Sequence, residues 1–188
     1  MKVIETALDG VKIIEPKVFR DSRGFFMESF NYEQFQEHGL EYNFIQDNHS
    51  LSLDKHVIRG LHYQLNPHAQ TKLIRVITGA IYDVAIDIRQ DSPTFGKWIG
   101  ITLSDNNYRM LLVPKGFAHG FCTLTANTHV QYKVDDYYSP KNDKGIIWND
   151  PTLAIDWPTS SPVLSEKDVN QPLLENAEIN FKYQAKVV

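Results

Sequence analysis

Short apolar runs recur along most of the chain, separated by glycine, proline and polar turn residues. β-Branched and aromatic residues are frequent in these runs, which is typical of β-strands. The pattern predicts strands at residues 11–14, 25–30, 56–64, 72–77, 81–88, 98–103, 108–113, 120–124, 128–134 and 145–148. Strands at short, regular spacing without intervening helices indicate an all-β sandwich or barrel, and we favour a jelly-roll barrel.

One N-terminal segment has the pattern of a helix. It runs from Asn31 to about His38. Asn31 suits the N-cap position, Gln34 stands three residues later as in a capping box, and Gly39 suits a helix stop. We therefore expect one short helix before the main strands.

Polar segments mark the turns and the end of the regular pattern. Thr78-Gly79 predicts a tight hairpin between two strands, and residues 104–107 predict another turn. From about Trp157 the alternation is lost, which predicts an irregular C-terminal tail with a short capped turn at Ser165. Such a tail can cover the mouth of a barrel.

The composition narrows the possible functions. The 188 residues are 42% hydrophobic and 22% charged, so we expect a single globular domain over residues 1–188. The net charge of −4 argues against a nucleic-acid or membrane-surface binder, since both favour a basic excess. The single cysteine, Cys122, rules out an intrachain disulfide and a multi-thiolate zinc site. The N-terminus also lacks an apolar run like that of a signal peptide. Together with the single cysteine, this leads us to expect a cytoplasmic protein.

The segment RGLHYQ (59–64) carries the first candidate chemistry. Strict strand alternation sends Arg59 and His62 to opposite faces, but a bulge at Gly60 would bring both to one face. A lone strand histidine is most often structural. A buried arginine beside it is costly unless an anion binds there, which favours a site.

Two further strands carry polar groups on apolar faces. Tyr132 shares a face with Val130 and Val134, so it is either a core tyrosine or a residue of the site. Asp83 shares a face with apolar neighbours and needs a partner there, which makes it a candidate for orienting another side chain. Lys72 begins an apolar run, where it could equally be a solvated strand end.

The histidines suggest a metal site, but their spacing does not support one. Metal-binding barrels of this type generally offer two histidines one residue apart, a nearby carboxylate and a distant third histidine. Here Tyr63 and Gln64 follow His62. The spacing of His49, His56, His62 and His68 does not resemble a ligand set either, so we expect no functional metal site.

Nine segments stand in order through nearly the whole chain. They are PKVFRDSRGFFMES (16–29), FIQDNHS (44–50), RGLHYQ (59–64), KLIRV (72–76), IYDVAIDIR (81–89), SPTFGKW (92–98), VPKGFAHGF (113–121), QYKVDDYYSP (131–140) and IIWNDP (146–151). Together they closely resemble one family, the dTDP-4-dehydrorhamnose 3,5-epimerases. The resemblance implies a cupin-like jelly roll, a homodimer that exchanges N-terminal strands, and activity without a cofactor.

The resemblance also implies roles for individual residues. It makes His62 the base and Tyr132 the acid, with Asp168 orienting His62. Lys72 would stabilise an enolate. Tyr138 would stack on the thymine base, and Phe19 would reach in from the partner subunit. The substrate-binding positions would be Phe19, Arg23, Glu28, Gln46, Asp47, Asn48, Arg59, Asp83, His119, Tyr138, Asp143 and Lys167.

These residue types suit proton transfer beside a ketone. A histidine held by a carboxylate is an effective base near neutral pH. A lysine can stabilise charge on the C4 oxygen, and a tyrosine opposite the histidine can return a proton to the other face of the ring. We therefore expect conversion of dTDP-4-dehydro-6-deoxy-D-glucose to dTDP-4-dehydro-L-rhamnose.

Three alternatives remain open at this point. A related enzyme could invert C3 only or C5 only, on this or another dTDP-keto-sugar. A non-catalytic sugar-binding cupin would keep the arginines and Tyr138 without needing the four catalytic residues together. A metal-dependent cupin oxygenase would need ligand spacing that this chain lacks.

Overall fold

The computed structural model describes residues 1–184. Over these residues thirteen strands alternate with turns, and two short α-helices and one 3₁₀ helix (Leu174–Asn176) complete the chain. The helices are α1 (Tyr32–Glu37) and α2 (Glu166–Val169). The strands are β1 (Lys2–Glu5), β2 (Lys12–Glu15), β3 (Val18–Asp21), β4 (Gly24–Met27), β5 (Gln46–Ser52), β6 (Ile58–Gln64), β7 (Lys72–Thr78), β8 (Ala80–Asp87), β9 (Trp98–Ser104), β10 (Met110–Val113), β11 (Phe117–Thr123), β12 (Thr128–Val134) and β13 (Asp143–Gly145).

The strands form two main antiparallel sheets and a separate hairpin. The larger sheet has the order β1-β2-β10-β7-β12-β5, and the smaller has the order β13-β6-β11-β8-β9. In the described part of the chain, strands β3 and β4 pair only with each other. The all-β fold class is therefore confirmed, with two facing sheets as its architecture, while closure of these sheets into a barrel stays a prediction.

The interior between the sheets is apolar at one end and polar at the other. Ile74 and Val130 of the larger sheet belong to the same buried cluster as Ile81 and Phe121 of the smaller sheet. Burial of such side chains is the main term that holds two sheets together. The polar end of the same interior holds the candidate site.

The outer faces of both sheets are also covered. Helix α1 lays Phe35 against the larger sheet, where it joins a cluster with Leu73 and Met110. The C-terminal tail lays Trp157 and Phe181 against the smaller sheet. The tail thus covers a sheet face, and it also carries α2 to the edge of the interior. No helix within residues 1–184 is long and apolar enough to span a bilayer.

The helix and the capped turn are confirmed. Asn31 caps α1, and its side chain accepts a hydrogen bond from the Gln34 backbone N–H at 3.2 Å. The helix ends before Gly39, which adopts a positive φ of 71°. Ser165 caps α2 in the same way.

The predicted hairpin at Thr78-Gly79 is wrong. Strands β7 and β8 lie in different sheets and do not pair with each other. Gly79 turns the chain from one sheet to the other with a φ of 86°. Its N–H donates to the Asp105 carboxylate at 2.8 Å. The turn is thus hydrogen-bonded to the β9–β10 loop, which makes the next crossing between the two sheets.

Strand β5 is missing from the prediction because its inward side chains are polar. Gln46, Asn48, Ser50 and Ser52 alternate with more exposed residues and face the interior. Apolar periodicity detects strands that face a core. This strand borders the polar end of the interior, so its sequence lacks that signal.

Candidate active site

A bulge in β6 brings two candidate residues onto one face. Between Arg59 and His62 the strand has two residues, Gly60 and Leu61, opposite the single Gly120 of β11. Arg59 and His62 consequently both line the interior, as the argument from strand alternation predicted. Gly60 has a φ of 137°, and a Cβ built on it would lie 2.5 Å from the Gly120 Cα.

We expect Gly60→Ala to destabilise the protein and to displace His62. The backbone strain alone costs about 1–3 kcal/mol, and the contact with the Gly120 backbone adds to it. Thermal unfolding measures the effect. Gly24→Ala is the matched control, because Gly24 has a similar φ of 133° with no atom within 4 Å of its Cβ position. Equal destabilisation by the two variants would contradict a role for close packing at Gly60.

The candidate site is a cavity of about 300 Å³ between the two sheets. Both sheets and helix α2 contribute side chains to its wall. The lining residues are Ser50, Arg59, His62, Lys72, His119, Phe121, Tyr132, Ser165, Lys167 and Asp168. The cavity thus combines two histidines, a tyrosine and several cationic groups in one space.

His62 and Asp168 form a close pair in this cavity. The His62 Nε2 lies 2.6 Å from the Asp168 Oδ1, and the Asp168 side chain is buried. Burial raises the pKa of the Asp168 carboxyl, but hydrogen bonds from His62 and Ser165 outweigh it and hold that pKa below its usual value. The ionised carboxylate fixes the imidazole and leaves Nδ1 free to face a ligand.

A second such pair lies beside the first. His119 stands directly opposite His62 on the neighbouring strand. Its Nε2 lies 2.7 Å from the Asp83 Oδ1, and Asp83 is completely buried. Asp83 therefore contacts His119, and it is Asp168 that contacts His62.

Tyr132 and Lys72 reach the cavity from the opposite sheet. Burial raises the pKa of Tyr132, an effect that Arg59 partly offsets, so the phenol keeps its proton at neutral pH. The Lys72 Nζ lies 3.3 Å from the His62 carbonyl oxygen. Burial lowers the pKa of Lys72 to about 8, although the carboxylates of Asp143 and Asp83 oppose this effect.

Three further predicted residues form a cluster beside the cavity. The Tyr138 hydroxyl donates to the Asp143 Oδ2 at 2.9 Å, and the Lys167 Nζ donates to the same oxygen at 2.5 Å. Tyr138 is exposed, so the face of its ring is accessible to a planar ligand. Lys167 also lines the cavity, so this cluster lies beside the His62–Asp168 pair.

Comparison with known proteins identifies the family. The family model described as dTDP-4-dehydrorhamnose 3,5-epimerase matches residues 5–176. The chain belongs to this family. Among curated family members, the epimerase of Shigella flexneri is 54% identical over 90% of this chain and 94% of its own length. That of Methanothermobacter thermautotrophicus is 51% identical over 93% and 96%.

Solved structures of family members share the fold. The Bacillus anthracis dTDP-4-dehydrorhamnose 3,5-epimerase, with TDP and PPi bound, has a TM-score of 0.90 and 57% identity, covering 92% of this chain and 98% of its own. A Legionella pneumophila dTDP-6-deoxy-D-glucose-3,5-epimerase in complex with dTDP-4-keto-L-rhamnose has a TM-score of 0.93 and 47% identity, covering 98% and 99%. A Streptomyces bikiniensis 3'-monoepimerase also matches with a TM-score of 0.86, at 30% identity over 92% and 87% of the two chains. The fold alone therefore does not distinguish inversion at one carbon from inversion at two.

The epimerase family pattern also includes residues of β5, which divide between two faces. Gln46 and Asn48 face the interior and are joined by a 2.8 Å hydrogen bond. Asp47 lies on the opposite face, where it accepts a hydrogen bond from the Lys133 Nζ at 2.8 Å. The structure thus brings two of these three predicted residues toward the side of Tyr132.

Three predicted substrate-binding residues lie away from the cavity of this chain. Phe19 and Arg23 belong to the β3–β4 hairpin, and Phe19 is exposed. Arg23 forms a surface ion pair with Asp21 at 2.6 Å. Glu28 accepts a hydrogen bond from the Asn31 side chain next to α1. None of the three lines the cavity that holds His62.

Three lining residues were absent from the candidates found in the sequence. Ser165 donates from its hydroxyl to the Asp168 Oδ2 at 2.8 Å. Ser50 places a buried hydroxyl oxygen in the cavity wall that has no hydrogen-bond partner among residues 1–184. Phe121 completes the wall. Ser50 follows Asn48 by two positions in FIQDNHS, so strand alternation could have found it.

The histidines outside the cavity do not gather ligands for a metal. His49 and His129 are hydrogen-bonded to each other at 3.0 Å. Within the described part of the chain, no three His, Cys, Asp or Glu side chains form a group that could hold a metal ion. Metal-independent activity stays a prediction.

Proposed function

We propose that this epimerase inverts C3 and C5 of dTDP-4-dehydro-6-deoxy-D-glucose to give dTDP-4-dehydro-L-rhamnose. The reaction runs by acid–base catalysis through an enolate and uses no cofactor, because the substrate already carries the C4 ketone. The observation that carries this proposal is that His62 of the smaller sheet, held by Asp168 of α2, and Tyr132 of the larger sheet line one cavity.

His62 acts as the base. Its Nε2 is held by Asp168, so Nδ1 faces the sugar and takes the proton from the carbon beside the ketone. The ionised Asp168 stabilises the imidazolium that forms, as the carboxylate of a catalytic triad does. Ser165 in turn holds Asp168, which makes the orientation of the base rigid.

Lys72 stabilises the enolate. Charge moves onto the C4 oxygen as the proton leaves, and a positioned cation there is worth about 3–4 kcal/mol in the transition state. The Lys72 Nζ is fixed next to the His62 backbone. Lys72 can therefore contact the C4 oxygen while the His62 imidazole contacts the neighbouring carbon.

Tyr132 supplies the new proton from the opposite face of the ring. Inversion requires that the donor and the base lie on different sides of the carbon. Tyr132 and His62 belong to opposite sheets, and burial keeps the phenol protonated. C3 and C5 both flank the C4 ketone, so one base and one acid can serve both carbons after the sugar ring adjusts.

The nucleotide end of the substrate lies toward the mouth of the cavity. Arg59 and Lys167 suit the pyrophosphate, since both are cations that line the cavity. The exposed ring of Tyr138 suits stacking on thymine, which is worth about 1–3 kcal/mol for a base on an aromatic side chain.

A homodimer would bring in the residues that lie away from this cavity. Within residues 1–184 the β3–β4 hairpin pairs with no other strand, and it exposes the side chains of Phe19, Phe25 and Phe26. Exposed aromatic clusters commonly mark protein interfaces. In a dimer the hairpin of one subunit would deliver Phe19 and Arg23 to the cavity of its partner. A cytoplasmic location stays a prediction from the sequence.

The test is product analysis. Incubation with dTDP-4-dehydro-6-deoxy-D-glucose, followed by coupled reduction of the ketone, traps the products for NMR. We expect the L-rhamnose configuration at both C3 and C5. A product inverted at one carbon only would reassign the protein to the monoepimerases, and unchanged substrate would overturn the proposal.

The lowered pKa of Lys72 predicts a specific pH dependence. The ammonium group is the form that stabilises the enolate, and its pKa is about 8. The value of kcat/KM should therefore fall as the pH rises through about 8, well below the range in which an ordinary lysine loses its proton. The pH profile of kcat/KM measures this, because it reports the ionisation of groups in the free enzyme. Lys72→Arg is the control, because a guanidinium stays charged, and its residual activity should lack this alkaline decline. The same decline in both proteins would assign it to another group.

A further inference from the structure

The cavity contains two imidazole–carboxylate pairs side by side. His62 and His119 are directly opposite each other on the antiparallel strands β6 and β11, so their side chains project from the same face of the sheet. Each has its own carboxylate, at 2.6 Å for Asp168 and at 2.7 Å for Asp83. His62 of the first pair is the proposed base, while the residues of the second pair are so far named only among the substrate-binding positions that the resemblance implies.

Asp83 is built into the protein behind His119. It is completely buried and does not line the cavity, so it does not reach a substrate directly. Its Oδ1 accepts the hydrogen bond of His119, and its Oδ2 has no hydrogen-bond partner among residues 1–184. A buried carboxylate with so few partners is costly. This cost indicates that the Asp83 carboxylate has a function, and His119 is the side chain that it contacts.

A carboxylate can only accept a hydrogen bond, so the Nε2 of His119 must carry a proton. In the neutral imidazole the other nitrogen, Nδ1, is then a hydrogen-bond acceptor. We propose that Asp83 is a positioning residue that fixes this tautomer of His119, so that Nδ1 accepts a hydrogen bond from a hydroxyl group of the bound sugar. Asp83 thus acts through His119 and contacts no part of the substrate.

This role complements the one proposed for Lys72. The other polar groups near the sugar are mostly donors, since Lys72, Arg59 and Lys167 all line the cavity as cations. A keto-sugar also carries hydroxyl groups, which need acceptors when they are desolvated. The inference rests on the proposed function, because it assigns His119 to a sugar hydroxyl of that substrate.

Asp83→Asn tests the positioning role. An asparagine keeps the shape but can turn its amide N–H₂ toward Nε2, which favours the opposite tautomer, with the proton on Nδ1. NMR of the substrate-free protein labelled with ¹⁵N-histidine reports the tautomer. We expect His119 to carry its proton on Nε2 in the wild type and on Nδ1 in the variant. A wild-type His119 with its proton on Nδ1 would overturn the proposal, even if the variant failed to fold.

The kinetic effect should follow the tautomer. Loss of the acceptor should lower kcat/KM for dTDP-4-dehydro-6-deoxy-D-glucose by about 10–100-fold, the size of the loss that follows removal of a carboxylate that orients a metal-binding imidazole. Asp87→Asn is the matched control. Asp87 is equally buried on the same strand, but its carboxylate is held by Arg89, Ser92 and Thr94 and does not line the cavity. It should lower thermal stability while kcat/KM and the His119 tautomer stay as in the wild type.

The possible results separate this inference from the proposed function. A switched tautomer with unchanged kcat/KM, or equal kinetic losses in the two variants, would overturn the role of Asp83. A wild-type protein that leaves the keto-sugar unchanged would instead overturn the proposed function. In that case the tautomer measurement still decides whether Asp83 orients His119. A second variant, His119→Asn, should abolish any further kinetic effect of Asp83→Asn, because the two residues act as one unit.

Discussion

Replacing His62 with alanine should abolish epimerisation and solvent deuterium exchange together. No other imidazole in the cavity is held by Asp168, and removal of a general base typically costs about 10²–10⁴ in rate. Both reactions begin with the same proton removal, so they should fall by the same factor. NMR of the keto-sugar in deuterated water measures both in one sample.

The fold should survive this substitution. Asp168 keeps its hydrogen bond from Ser165, so the buried carboxylate is not left without a partner. His49→Ala is the matched control, because His49 is also a strand histidine but pairs with His129 outside the cavity. It should keep full activity. Wild-type exchange in the His62 variant would show that another group removes the proton.

Tyr132→Phe should separate exchange from inversion. The substitution removes only the hydroxyl and preserves the ring that packs beside the buried core of Val130. Proton removal by His62 does not need that hydroxyl, whereas proton delivery from the opposite sheet does. We expect the variant to exchange the substrate hydrogen for deuterium with retention of configuration, while epimer formation falls by about 10²–10⁴.

Tyr63→Phe is the control for loss of a buried tyrosine hydroxyl. The Tyr63 hydroxyl donates to the Glu178 carbonyl oxygen at 2.8 Å, and the ring lies in the cluster outside the smaller sheet. This variant should lose some stability and no activity. Normal epimer yield in Tyr132→Phe would leave Tyr132 as a core residue, the alternative that its apolar strand face also allows.

The sequence predicted the features that depend on local geometry. The bulge at Gly60 follows from strand period, because only a bulge brings Arg59 and His62 to one face. The cap of α1 at Asn31 follows from helix-end chemistry. Each of these rests on a few neighbouring residues, so no tertiary information was needed.

Features that depend on which sheet a strand joins could not be predicted in this way. Thr78-Gly79 has the composition of a hairpin turn, but tertiary packing uses Gly79 for a crossing between sheets. Strand β5 lacks apolar alternation because its inner side chains border a cavity. The partner of each histidine likewise depends on tertiary packing. The sequence marked Asp83 as a candidate for orienting another side chain, and only the structure shows that this side chain is His119.

The candidate site likewise has one part that the sequence predicted and one part that it did not. The sequence resemblance named His62, Tyr132, Lys72 and Asp168, and the structure brings all four to one cavity. The structure leaves Phe19 and Arg23 on a separate hairpin, and their place in the site rests on the proposed homodimer. The roles of all these residues stay proposals.

We propose that one base and one acid on opposite walls of the cavity invert both carbons beside the ketone. The most direct measurement follows the wild-type protein and dTDP-4-dehydro-6-deoxy-D-glucose in deuterated water by NMR. We expect solvent deuterium at C3 and at C5, each in the inverted configuration. Deuterium at only one of these carbons, or inversion that retains the original hydrogen at either, would contradict it.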